Sequence, residues 1–255
     1  RKASSAMTSD FQDHFSGFSG DYRSYRPSYP ADLFSWLASI SSGHERAWDC
    51  ATGTGQAATR LAEHFFEVIA TDASETQIAS AEKRGNVKYY PARAEDSGIE
   101  PESVDLVTVA QAIHWFDQKA FQAEADRVLK KGGIVAVWAY DLLHISPAID
   151  DVVNHLYGPI LEKHWPPERR IIEQGYRDID FPYEKIVAPE FSMNSTWNLA
   201  GLAGYLNTWS AVKRYIQERK TNPVEIVFDD LSAAWGKAEN EYQVVWPMTI
   251  LAWRK

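Results

Sequence analysis

Asp49 closes a short apolar run, Gly53 and Gly55 follow it, and Asp72 closes a second apolar run. Two glycines ahead of a helix let the backbone approach a ligand closely, and the first N–H groups of that helix favour an electron-rich partner. Gly53 to Ala58 fits Gly-x-Gly-x-x-Ala, the turn that cradles the pyrophosphate of a dinucleotide, with Asp72 spaced to bind ribose hydroxyls. Asp49 speaks against a phosphate, because a carboxylate there would face it across a partly desolvated site.

A carboxylate at that point suits a cofactor with an ammonium group and no phosphate, and S-adenosylmethionine has both properties. Asp72 would then accept bonds from its two ribose hydroxyls. Two alternatives stay open. The glycine turn fits a nicotinamide-dependent oxidoreductase, and Ala51 with the acidic surface fits a non-catalytic binding module.

His114 follows the fourth apolar run, at the end of a sheet where ligands bind. It is a candidate catalytic base or substrate-orienting group, with Trp115 beside it as a candidate substrate contact. The histidines at 14, 44, 64, 144, 155 and 164 have no ligand spacing, so no metal site is expected. Arg26, Arg169, Arg170 and Arg214 are the candidates to hold a substrate should it carry a carboxylate, since a guanidinium can bind one through two parallel bonds.

Around these residues, short apolar runs alternate with helical stripes five times. Strands are expected at Arg46 to Ala51, Glu67 to Asp72, from Asn86, at Ser103 to Gln111 and from Gly132. Helices are expected on Ala58, Leu61, Ala62 and Phe65, from a Ser74 cap to about Arg84, and from Asp117. Such alternation implies an α/β, doubly wound, mostly parallel sheet of the Rossmann-like kind. A strand near Lys185 to Asn194 and a closing strand from Tyr242 bring the expected count to seven. Prolines at 147, 159, 166, 167 and 182 mark an irregular helical insertion after the fifth strand. The expected organisation is one domain over 1–255. Its core is 31–140, 185–194 and 242–255, and segments 8–30, 141–184 and 195–241 form a cover over a substrate beside the "QAIHWF" loop.

The chain has 255 residues, 45% hydrophobic and 24% charged, ordinary for a globular enzyme, and no apolar run reaches the ~18 residues of a membrane span. A net charge of −9 argues against a nucleic-acid surface and for a small-molecule partner. One cysteine, Cys50, excludes an internal disulfide, and with no secretion-signal core the expected location is cytoplasmic. Nothing here fixes the oligomeric state.

At these residues the chain resembles the class I S-adenosylmethionine-dependent methyltransferases. "DCATGTG" resembles the family's Asp-x-Gly-x-Gly-x-Gly turn, "ATDAS" its ribose-binding loop, and "ARAED" the adenine-edge loop of the type 11 subgroup. "AQAIHWFD", "DYRSYRPSYP" and "GYLNTWSAVKRY" narrow the likeness to the branch around trans-aconitate methyltransferase and its fungal relatives. The resemblance implies S-adenosylmethionine as cofactor. It places Asp49, Ala51, Gly53, Thr54, Gly55, Asp72, Ala73 and Gln111 around that cofactor, Ala94 and Glu95 near its adenine, and Tyr25 and Arg26 closing over it. It also implies a small acceptor, a carboxylic acid methylated on oxygen. Ala51 and Thr52 depart from the family pattern, which commonly has Gly and a small residue or Cys there.

Overall fold

The computed structural model describes residues 27–255. β1 (Arg46–Cys50), β2 (Glu67–Asp72), β3 (Val87–Pro91), β4 (Val104–Ala110) and β5 (Leu129–Tyr140) run parallel in the order β3-β2-β1-β4-β5. Their near-continuous apolar character follows from burial on both faces. Trp48, Val107, Val109, Val135 and Val137 face one core layer, while Ala47, Val68, Leu106, Ile134 and Ala136 face the other. The order reverses between β1 and β4, so the ligand crevice of such a sheet belongs at the carboxyl ends of those two strands.

β8 (Tyr242–Arg254) adds antiparallel to β5, and β6 (Glu184–Ile186) adds antiparallel to β8. β7 (Ser192–Trp197) also pairs with β8, giving eight strands among the described residues. The single strand expected near Lys185 to Asn194 is therefore two. Pro189 stands in the gap between them, and a proline lacks the N–H that a ladder needs.

α1 (Ala31–Ile40) starts after Pro30 and buries Leu33, Phe34 and Leu37 in the second layer together with α2 (Gln56–Leu61). α3 (Glu75–Ala79) is capped by the Ser74 side chain, as expected, but stops well short of Arg84. Beyond it, the Glu82 N–H donates to the Thr54 carbonyl at 3.2 Å and Tyr89 donates to the Glu82 carbonyl at 2.6 Å. Those bonds take the backbone away from the next helical turn. α4 (Gln118–Val128), capped by Asp117, covers the other face through Phe121, Ala125 and Val128.

The chain divides into two compact units. The sheet unit holds Ser28–Asp141, Glu168–Met193 and Pro247–Lys255. In it, α6 (Arg169–Glu173) packs on the single helical turn Ile113–Trp115 that follows β4. Among the described residues, the helical unit comprises Pro27, Leu142–Pro167 and Asn194–Trp246. Its α5 (Pro147–His155), α7 (Leu199–Leu206) and α9 (Pro223–Trp235) are capped by Ser146, Asn198 and Asn222, and α8 (Ser210–Arg219) lies between the last two. Tyr205 lies 5.1 Å from Trp197 and 5.5 Å from Trp246, an aromatic centre for that unit. Among the described residues, no helix is long and apolar enough to cross a membrane, and no cluster of His, Cys, Asp or Glu has metal-ligating geometry.

Candidate active site

Asp49 and Thr108 are direct partners in the β1–β4 register, one on each side of the reversal in strand order. The Thr108 hydroxyl donates to Asp49 Oδ1 and the Thr52 hydroxyl to Oδ2, both at 2.7 Å. Asp49 is 1% exposed, and burial raises its carboxyl to about 6 against the lowering effect of these two bonds, with the Asp72 charge adding to the rise. A buried carboxylate held only by neutral donors keeps its charge uncompensated, which suits an ammonium ligand.

The chain then leaves β1 through a left-handed corner. Ala51 has φ +56°, Gly53 φ +58° and Gly55 φ +85°. Gly53 is open, since an added Cβ would meet nothing within 4 Å, whereas a Cβ on Gly55 would collide with the Tyr89 hydroxyl. The loop thus offers bare backbone on one side and packs tightly on the other. Ala51 takes this left-handed conformation despite its Cβ, at a strain of about 1 kcal/mol.

Asp72 ties the second loop to the first. Its Oδ2 accepts the Gly53 N–H at 2.9 Å and its Oδ1 accepts the Ser74 N–H at 2.9 Å. Each carboxylate oxygen keeps a further lone pair, so two hydroxyls can still be accepted. Ala73 is exposed beside it, and Thr54 lends its carbonyl to the Glu82 N–H. Ala94 is buried, and Glu95 accepts the Asp117 N–H at 3.2 Å while approaching Arg93 at 3.6 Å.

Gln111 follows β4 at φ +59°, with its N–H on the Trp138 carbonyl at 2.8 Å and its Oε1 accepting the Tyr140 N–H at 3.2 Å. His114 is buried two residues after Ala112, and Trp115 beside it is 56% exposed. Burial holds the His114 imidazole down at about 4, with the Arg169 charge adding to the fall and Glu168 opposing it. His114 is therefore neutral near pH 7 and a poor base. Of the arginines, Arg169 is half-buried near His114, Arg170 is exposed, and Arg214 donates to the His164 carbonyl in the helical unit at 3.3 Å. Tyr25 and Arg26 lie outside the described residues.

The structure bonds Gly53 directly to Asp72 and ties Asp49 to the same loop through the Thr52 hydroxyl. It adds Thr52, Thr108 and Tyr176, which were not named as site residues. Thr108 left a trace, being the one hydroxyl in the apolar run "DLVTVA"; Tyr176 lies 62 residues from His114 and left none.

These features, a parallel sheet with acidic residues near the ends of its first two strands around a glycine corner, define a Rossmann-like fold of the kind that binds nucleoside cofactors. A family described as "Methyltransferase domain" matches residues 48–137. A Dictyostelium discoideum protein assigned as a methyltransferase is 32% identical over 239 residues, covering 92% of this chain and 91% of the relative. A Saccharomyces cerevisiae protein assigned as an S-adenosylmethionine-dependent methyltransferase is 34% identical over 131 residues, covering 48% of this chain and 45% of its own. The solved structure of a type II methyltransferase from Anaeromyxobacter dehalogenans is 41% identical with TM-score 0.85, covering 90% of this chain and 97% of that one. The chain belongs to the class I S-adenosylmethionine-dependent methyltransferases. That membership sets aside the nicotinamide reading of the glycine turn and the non-catalytic one.

Proposed function

We propose that this enzyme methylates an oxygen of a small carboxylic acid, holding S-adenosylmethionine through Asp49, Gly53, Gly55 and Asp72. Asp49 pairs with the cofactor's ammonium, Asp72 accepts the ribose hydroxyls, and the bare Gly53 backbone admits the ligand. Ala51, Thr54, Ala73 and Gln111 complete the surround, and Ala94 and Glu95 lie toward the adenine. When bound, the cofactor supplies a methyl group already activated by its sulfonium. The protein's part is to orient the acceptor oxygen in line with that methyl and to exclude water.

The observation that carries the acceptor class is the setting of His114, buried and close enough to Arg169 to feel its charge. An imidazole held at about 4 beside the Arg169 cation accepts protons poorly at pH 7. An alcohol or amine acceptor benefits from a base, whereas a carboxylate, with an ordinary pKa of about 4, arrives ionised and needs none. Arg169 supplies a cation for the acceptor, and His114 and Trp115 contact it.

A screen of small carboxylic acids with a product assay tests this. The expected result is turnover of an acid at a rate nearly flat from pH 6 to 8, with His114→Gln raising the acceptor KM and leaving kcat within about threefold. A rate that climbs through one ionisation near about 6.5, and loses it in His114→Gln, would make His114 a base and the acceptor an alcohol or amine.

A further inference from the structure

The cluster behind His114 is built from one short stretch of chain. α6 ends in a paired-bond cap: the Gly175 N–H donates to the Ile172 carbonyl at 2.8 Å, and the Tyr176 N–H to the Ile171 carbonyl at 3.0 Å. Gly175 at φ +64° is the residue such a cap favours. Tyr176 follows at φ +55°, a conformation unfavourable for an aromatic residue that persists only where the surroundings enforce it. The surroundings are apolar, since Ile172, Ile179, Phe181 and Ile113 belong to the same buried layer as Tyr176. The strained turn delivers one polar atom to this layer, the Tyr176 hydroxyl, 3.4 Å from His114 Nδ1. The rings also stack, with centroids 6.3 Å apart and planes 27° from parallel.

We propose that Tyr176 is a positioning residue for methyl transfer: its hydroxyl donates to His114 Nδ1 and fixes the imidazole as the Nε2–H tautomer, a neutral donor for the acceptor's oxygen. The direction of the bond follows from the chemistry of the two groups. An imidazole nitrogen is a better acceptor than a phenol oxygen, and a buried phenol must place its proton somewhere. Burial pushes the Tyr176 hydroxyl well above its ordinary range, so it keeps that proton, and His114 stays neutral at pH 7. A bond of 3.4 Å is long, and sites of this kind often tighten when the ligand arrives.

Arg169 sits near both groups, for its charge lowers the pKa of His114 and of Tyr176 alike. A neutral N–H beside a guanidinium forms a donor pair suited to an anionic oxygen. The role of the Nε2–H toward the acceptor rests on the reading of His114 as an acceptor contact given above. The tautomer itself does not.

Nitrogen NMR of histidine-labelled protein, free and with S-adenosylhomocysteine, tests the assignment without any acceptor. The wild type is expected to show His114 neutral from pH 6 to 8 with the proton on Nε2. Tyr176→Phe keeps the packed ring and removes only the hydroxyl, and it is expected to lower the Nε2–H to Nδ1–H ratio about tenfold. A wild-type His114 protonated on Nδ1 overturns the proposal even if Tyr176→Phe does not fold, and an unchanged ratio in a folded Tyr176→Phe overturns it equally. If the tautomer is as expected and no acid is turned over, the acceptor assignment falls and the role of Tyr176 stands.

Discussion

At the amino ends of the strands in the sheet unit, Glu67 pairs with Arg46 at 2.9 Å and Lys88 at 2.6 Å. Lys130 joins Asp105 at 3.1 Å and Glu45 at 2.9 Å, and Asp105 also accepts the Glu45 and Arg46 N–H groups at 3.0 Å each. At the carboxyl ends, Asp49 and Asp72 are held by hydroxyls and N–H groups alone, and among the described residues neither makes an ion pair. The difference separates two uses of a carboxylate. One that serves the fold is matched by a cation from the same chain. One that is fixed by neutral donors alone keeps its position without losing its charge, as the proposed role toward the cofactor requires.

The largest expected effect lies at the carboxyl ends. Asp49→Ala and Asp72→Ala are each expected to weaken S-adenosylhomocysteine binding by about 10- to 100-fold in calorimetric titration, the range of a lost hydrogen bond to a charged group. Glu67→Gln at the other end should leave that affinity within about twofold. Similar losses at both ends would erase the distinction.

Stability should respond in the opposite sense. Asp105→Ala removes the acceptor of two backbone N–H groups, and urea denaturation is expected to show a loss of about 1–3 kcal/mol with cofactor affinity retained. A stable variant that no longer binds the ligand would assign Asp105 to the site.

The pH dependence sharpens the contrast. The Asp49 carboxyl stands at about 6 in the fold, whereas an unfolded aspartate titrates at about 4. Between those values the folded chain holds a proton that the unfolded chain has lost. The contribution of Asp49 to ligand-free stability is therefore full below the unfolded value and lost as pH rises through about 6. An ammonium ligand needs the ionised form. Its affinity should fall about tenfold from pH 7 to pH 5, and Asp49→Asn should abolish that slope.

The smallest effect belongs to the corner. Ala51→Gly relieves a positive φ and should raise stability by about 1 kcal/mol with ligand affinity within about twofold, measured by denaturation and titration together. A destabilised variant would mean that the extra freedom of glycine in the unfolded chain outweighs the strain.

Much of this organisation was legible in the sequence because it is local. The five apolar runs, the Ser74 and Asp117 caps, the glycine turn and the acids at 49 and 72 each declare themselves within a few residues. What was not legible depends on partners far along the chain. α3 stops at Ala79 because Thr54 and Tyr89 hold Glu82, and no window around Ser74 contains them. Tyr176 reaches His114 only because a capped turn places it there, and a tyrosine in "QGYRD" reads as any loop residue. The split of β6 from β7 has a local cause, Pro189, which interrupts an otherwise strand-like run.

Cys50, the only cysteine, ends β1 inside the core. Burial pushes its thiol up, and the negative charges of Asp49, Glu95, Asp72 and Glu124 push it further. Because the thiolate is the reactive form, alkylating reagents should pass this residue by in the folded protein. The natural chain is thus chemically silent toward maleimide dyes. A Trp115→Cys substitution at the exposed position beside His114 would then accept a single fluorophore, with no native thiol to remove first.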